Sequence, residues 1–158
     1  MNYQIGDKVI HWNYGLGEIV NVEEKTIGGK PTRCYVLRTA DLMMWVPIDD
    51  LQQSSLRKPT PPQEFEQLYA ILSSPGEKLL DDRLLRKSQL MDQLKDGKLA
   101  STCRVVRDLT YFKRKSKLND QEKSILERAI RSLVTEWAYS LQIPFSQANQ
   151  AMANLLRE

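Results

Sequence analysis

Ile5-Gly6-Asp7-Lys8-Val9-Ile10-His11-Trp12 and, after Asn13-Tyr14, Gly15-Leu16-Gly17-Glu18-Ile19 open the chain with short apolar stretches parted by turn-forming residues. Lys8-Val9-Ile10 predicts a strand, and Asn13 to Gly17 breaks it. Glu18 to Glu24 then alternates polar and apolar, turning Ile19 and, after a shift, Val20 and Val22 toward an interior. Thr26-Ile27-Gly28-Gly29-Lys30-Pro31 predicts a hairpin tip on Gly-Gly, with a proline that ends the pairing. Arg33 to Thr39 and Leu42 to Val46 give two more strands around a turn near Asp41. Closely spaced short strands, too few for a sandwich, predict a small SH3- or Tudor-like barrel.

The regime changes at Leu56-Arg57-Lys58-Pro59-Thr60-Pro61-Pro62, where three prolines in four residues disfavour helix interior and central strand alike. Beyond it, Phe65, Leu68, Tyr69 and Leu72 keep helical spacing until Ser73-Ser74-Pro75-Gly76. A second helix is predicted from about Leu80 to Leu94, stopped by Lys95-Asp96-Gly97, and a third from Leu99 to about Lys115. Asn119 followed by Glu122 has capping-box spacing. It precedes a long stripe of Ile125, Leu126, Ala129, Leu133, Val134, Trp137, Ala138 and Leu141, ended by Pro144. Ser146 to Leu156 makes a short last helix. The expected fold class is α+β: a barrel over residues 1–58 and a compact all-α domain of about five helices over residues 63–158.

With 41% hydrophobic and 27% charged residues, the 158-residue chain has the composition of a globular protein rather than a disordered one. No apolar run approaches the ~20 residues that span a bilayer, and the N-terminus lacks a signal-peptide core, so a cytoplasmic protein is expected. Residues 1–59 hold seven Lys/Arg against seven Asp/Glu, so the formal charge of +3 arises beyond them. Arg104, Arg107, Lys113, Arg114, Lys115 and Lys117, opposed by Asp108, form its densest run. Such a run suits a solvated helix face and also supplies the cations that phosphate contact requires. Cys34 and Cys103 fall in different candidate domains and read as two buried thiols.

Enzymatic readings find little support. His11 is the single histidine, with no serine or cysteine nucleophile near it in the pattern, and reads as structural. The pairs Asp49-Asp50 and Asp81-Asp82 flank turn or helix starts, where carboxylates complement the helix dipole. Gly15-Leu16-Gly17 lacks the third glycine and the helix of a nucleotide fingerprint. No metal, cofactor or small-molecule substrate is expected. The aromatics carry more weight. Trp12, Tyr14, Tyr35 and Trp45 are too many for so small a barrel to bury entirely, and an exposed Trp or Tyr marks a contact surface. Tyr35 suits core and surface equally, and Trp137 is core. Trp45 precedes Val46-Pro47 in a strand that proline terminates, as an edge strand often is, and an edge accepts a partner's strand.

Ile5-Gly6-Asp7-Lys8-Val9, Tyr14-Gly15-Leu16-Gly17, Glu23 to Lys30, Tyr35-Val36-Leu37, Met44-Trp45-Val46-Pro47, Gly97, Val105-Val106-Arg107-Asp108-Leu109 and Leu118 to Lys123 together resemble the CarD/CdnL family of bacterial transcription regulators. The N-terminal module is shared with the transcription-repair coupling factor, and the likeness spans nearly the whole chain. The resemblance implies a Tudor-like domain that binds the RNA polymerase β subunit by extending its sheet. It also implies a helical domain that contacts promoter DNA beside the melted bubble and tunes open-complex stability. Such a protein would associate with the nucleoid through polymerase.

By position, the resemblance assigns polymerase contact to Lys25 and Trp45, with Thr26, Ile27 and Arg38 nearby. Family members often carry a wedge tryptophan early in the helical domain, where this chain has Arg83; no aromatic lies between Tyr69 and Tyr111. Arg83, Arg86 and Lys87 are therefore expected to hold phosphates, which position a protein without reading sequence. Arg114 and Lys123 complete the DNA-contacting set. The alternative is a polymerase-tethered adaptor whose helical domain recruits a protein without touching DNA.

Overall fold

A computed structural model describes residues 3–48 and 55–156. The chain divides into two compact units, residues 1–59 and 60–158.

The first unit is a five-stranded antiparallel sheet: β1 (Lys8–His11), β2 (Gly15–Ile27), β3 (Lys30–Arg38), β4 (Met43–Pro47) and β5 (Leu56–Arg57), in the order β4-β3-β2-β1-β5. The α+β class is as expected. The barrel is open, however: among the described residues no ladder joins β4 to β5, which is only two residues long. The short β5 pairs with β1 through Ile10↔Arg57 and His11↔Leu56, inside the stretch that the sequence marked as linker.

The β2–β3 hairpin turns on Gly28 and Gly29, at φ 59° and 80°, the two left-handed positions that a tight primed turn demands. Pro31 does not end the pairing as expected. It faces Thr26 in a ladder that runs to Ile27↔Lys30, beyond the proline.

A bulge between Ile19 and Asn21 shifts β2 by one residue. Ile19 before it and Val22 after it consequently face the same core, with Tyr3, Val9, Tyr35, Leu37, Val46 and Leu56. Tyr35 is core, and its hydroxyl accepts the Tyr3 N–H at 2.9 Å. At Gly17 a Cβ would meet Leu37 Cδ1 at 2.7 Å and the Arg38 carbonyl oxygen at 2.9 Å, so this close strand approach requires glycine.

The second unit opens with a 3-10 turn (Pro62–Glu64) and five helices: α1 (Phe65–Ser73), α2 (Arg83–Lys95), α3 (Leu99–Lys115), α4 (Asp120–Leu141) and α5 (Phe145–Leu156). Helix α2 begins three residues later than the apolar pattern suggested, because the Asp82 carboxylate accepts the N–H groups of Leu84 and Leu85 and caps it there. The Asn119–Glu122 capping box forms as its spacing implied. Phe65, Leu72, Leu90, Leu109, Leu133 and Trp137 are among the core residues, drawn from all the helices but α5, which adds Ala148 and Met152. Helix α4 ends at Gln142 in the left-handed conformation (φ 57°). Pro144 follows, and its carbonyl takes the first N–H bonds of α5, so the proline opens the last helix.

Buried polar groups tie this unit together. Glu136, fully buried in α4, accepts both the Thr60 N–H (2.8 Å) and hydroxyl (2.7 Å). Asp108 accepts the Glu77 N–H (2.9 Å) and Arg107 Nε–H (2.9 Å), while Arg107 Nη1 donates to the Ser74 hydroxyl (2.8 Å). The Val105-Val106-Arg107-Asp108-Leu109 run is thus a structural staple, pinning the α1–α2 loop to α3. Neither cysteine forms a disulfide and both are buried, and burial pushes the Cys103 thiol up to about 12.

Candidate functional site

The sheet brings Lys25 and Trp45 together although they lie twenty residues apart in sequence. Beyond the bulge, β2 alternation puts Asn21, Glu23 and Lys25 on the face opposite the Val22–Tyr35–Leu37 core, and the ladder sets Val36 between Asn21 and Trp45. Trp45 on edge strand β4 is 39% exposed. Its indole Nε1–H donates to Glu23 Oε1 at 3.0 Å, and Lys25 Nζ stands 4.0 Å from the ring centroid. A cation over an exposed indole contributes about 0.5–1 kcal/mol, enough to favour this arrangement without fixing it alone.

Of the nearby candidates, Thr26 and Ile27 sit on the exposed end of the hairpin, with Ile27 45% exposed. Arg38 is exposed at the other end of β3, where it flanks Glu18 at 3.6 Å. The Lys8 hydrogen bond to Glu18, reinforced by the charges of Lys8 and Arg38, holds that carboxyl below the usual range. The edge strand also displays Met43 to solvent, with exposed Leu42 just before it.

His11 has a local role. It is buried, and its Nδ1 accepts the N–H groups of Asn13 (3.1 Å) and Tyr14 (3.2 Å), holding the β1–β2 turn. Burial lowers its pKa to about 4, so the ring is neutral at neutral pH. Asp49 and Asp50 lie outside the described residues.

The basic candidates separate in the helical unit. Arg83 and Lys87 are exposed one turn apart on α2, and Lys123 is exposed in the first turn of α4. Arg86 is not available to a phosphate. It is buried, paired through Nε with Glu122, bonded through Nη1 to the carbonyls of Leu80 (3.2 Å) and Asp81 (3.0 Å), and stacked on Phe112 at 4.8 Å. Glu122 thus serves twice, closing the α4 capping box with Oε1 and holding α2 with Oε2. Arg107 of the basic run is likewise consumed, by Asp108 and Ser74. Arg114 reaches the Leu156 carbonyl on α5 at 2.6 Å. It leaves α3 nearly opposite Phe112, on which Arg86 stacks.

Three leucines escaped the sequence reading: Leu80, Leu84 and Leu85 are 47%, 77% and 58% exposed around the start of α2. The signal was present in the spacing. Leu90 marks the buried stripe, and at about 100° per residue both Leu84 and Leu85 lie well over 100° around the helix from it. An apolar tip flanked by Arg83 and Lys87 results.

Two family models match the chain. The CarD-like/TRCF RID domain covers residues 3–60 and the CarD C-terminal domain covers residues 67–153. A Bacillus subtilis (strain 168) relative named "Putative transcription factor YdeB" is 30% identical over 140 residues, spanning 85% of this chain and 89% of its own length. With both of its units matched and a relative aligned along most of its length, the chain belongs to the CarD-like family.

Proposed function

We propose that this protein is a non-enzymatic transcription regulator. Its N-terminal sheet docks on the RNA polymerase β subunit, and its helical unit touches promoter DNA and modulates the open complex. Membership of the CarD-like family supports the transcriptional role. The observation that carries the docking role is the exposed Trp45 on edge strand β4, with Lys25 of β2 against its ring, where a partner's strand has backbone groups to meet. Aromatic anchors of this kind dominate interface energetics. Trp45→Glu is expected to abolish co-purification with the polymerase β lobe while circular dichroism stays unchanged. Retention at the wild-type level would overturn the docking role.

On the DNA side, Arg83, Lys87 and Lys123 contact phosphates, and Leu84 with Leu85 supplies the apolar surface that abuts unstacked bases. Leucine is one of the side chains that wedges into nucleic acid this way. The same exposed leucines also favour a second reading, an adaptor that recruits a protein through α2. DNA binding by the full chain in moderate salt separates the two, since the adaptor shows none.

A further inference from the structure

We propose that Glu23 is a positioning residue for Trp45, fixing the indole in the orientation that the N-terminal unit presents to its partner; this rests on the docking role proposed above. Glu23 lies on β2 and Trp45 on β4, with β3 between them through the pairings Glu23↔Cys34↔Pro47 and Asn21↔Val36↔Trp45. Strands two apart are about 10 Å from each other. The 3.0 Å bond from Trp45 Nε1 to Glu23 Oε1 therefore requires the two side chains to reach toward each other over β3.

The residues beneath are Cys34 and Val36, 0% and 2% exposed. They alternate with Tyr35 and Leu37, which belong to the core of the opposite face, so β3 is covered on both sides.

The carboxylate is itself held. Its Oε2 accepts from Asn21 Nδ2 at 3.0 Å, and Asn21 Oδ1 accepts the Val22 N–H at 2.9 Å, immediately after the bulge. A continuous path thus runs from the backbone irregularity through Asn21 and Glu23 to the indole, while Lys25 stands against the ring. A tryptophan on an open edge without these ties samples several rotamers, and binding must then select one. Glu23 removes that selection in advance.

The test combines a spectroscopic and a binding readout on the full chain. In the free protein, the Trp45 indole N–H resonance, assigned by its disappearance in Trp45→Phe, is expected to lose its downfield shift and exchange protection in Glu23→Ala. It is expected to keep a downfield shift in Glu23→Gln, whose amide oxygen still accepts the indole N–H although its amide nitrogen cannot accept from Asn21. Affinity for polymerase should fall about fivefold in Glu23→Ala and stay near wild type in Glu23→Gln. Glu23→Ala should add nothing to Trp45→Phe, which has no N–H to hold.

An unchanged indole resonance in Glu23→Ala would overturn the positioning role. So would equal losses of affinity for the alanine and glutamine variants, which mark a direct charge contact, or a full additional loss in the Trp45→Phe background. Failure of the docking role appears separately, as polymerase binding indifferent to Trp45→Glu, and leaves the resonance test intact.

Discussion

Arg86 and Lys87 are adjacent and equally basic, yet the structure gives them opposite tasks. Arg86 is buried against Glu122 and two carbonyls, so Arg86→Ala strands a buried carboxylate and should cost about 3 kcal/mol in denaturant unfolding. Lys87→Ala, on an exposed position, should change stability by less than about 0.5 kcal/mol. Equal losses would contradict the assignment. His11 makes a second prediction at this scale. Its folded pKa, about 4, lies below the unfolded value near 6.5, so the unfolded chain takes up the proton first as pH falls. Its stabilisation is full above pH 6.5 and is lost as pH drops toward 4, amounting to about 2 kcal/mol between pH 7 and 5. His11→Asn retains an acceptor for the turn N–H groups and should flatten that part of the pH–stability curve of the N-terminal unit. An unchanged curve would show that His11 does not carry it.

At the scale of elements, Gly76 shows how closely the α1–α2 loop meets α3. A Cβ there would stand 2.3 Å from Tyr111 Cβ, an atom fixed to the helix backbone that cannot swing aside. Gly76→Ala should therefore destabilise the helical unit by at least about 2 kcal/mol, read as a lowered Tm; an unchanged Tm would contradict this packing.

Elements governed by local chemistry were legible in the sequence. The Gly28-Gly29 turn, the Asn119 capping box and the α4 stripe each rest on residues within a few positions of one another. Elements governed by distant partners were not. The short β5 exists only through β1, and Pro31 stays in the ladder because the tight turn holds its strand against β2. The burial of Arg86 depends on a carboxylate thirty-six positions away. The candidate site divides in the same manner. Trp45 stood out as a candidate from its proline-terminated strand and Lys25 through the family resemblance, but the placement of Glu23 between them follows only from a register that includes the bulge. Leu84 and Leu85 were hidden by reading α2 as starting at Leu80, before its Asp82 cap.

For the whole molecule, the formal charge of +3 is modest for electrostatics alone to hold DNA tightly, and under the proposed function tethering to polymerase would supply the local concentration. On this account Arg83→Glu combined with Lys87→Glu lowers the slope of log affinity for DNA against log salt by about 2, one unit for each phosphate no longer neutralised. An unchanged slope would remove α2 from the DNA interface. The division of labour has a direct functional readout. Docking and DNA contact must act together on the open complex, so cutting the tether should silence the molecule even though its helical unit is untouched. The decisive measurement is open-complex lifetime with the cognate polymerase, in the absence of the protein, with wild type and with Trp45→Glu. Wild type should change the lifetime and Trp45→Glu should leave it at the value seen without protein; a wild-type effect retained by Trp45→Glu, or no effect of wild type at saturating concentration, would overturn the proposed tethering.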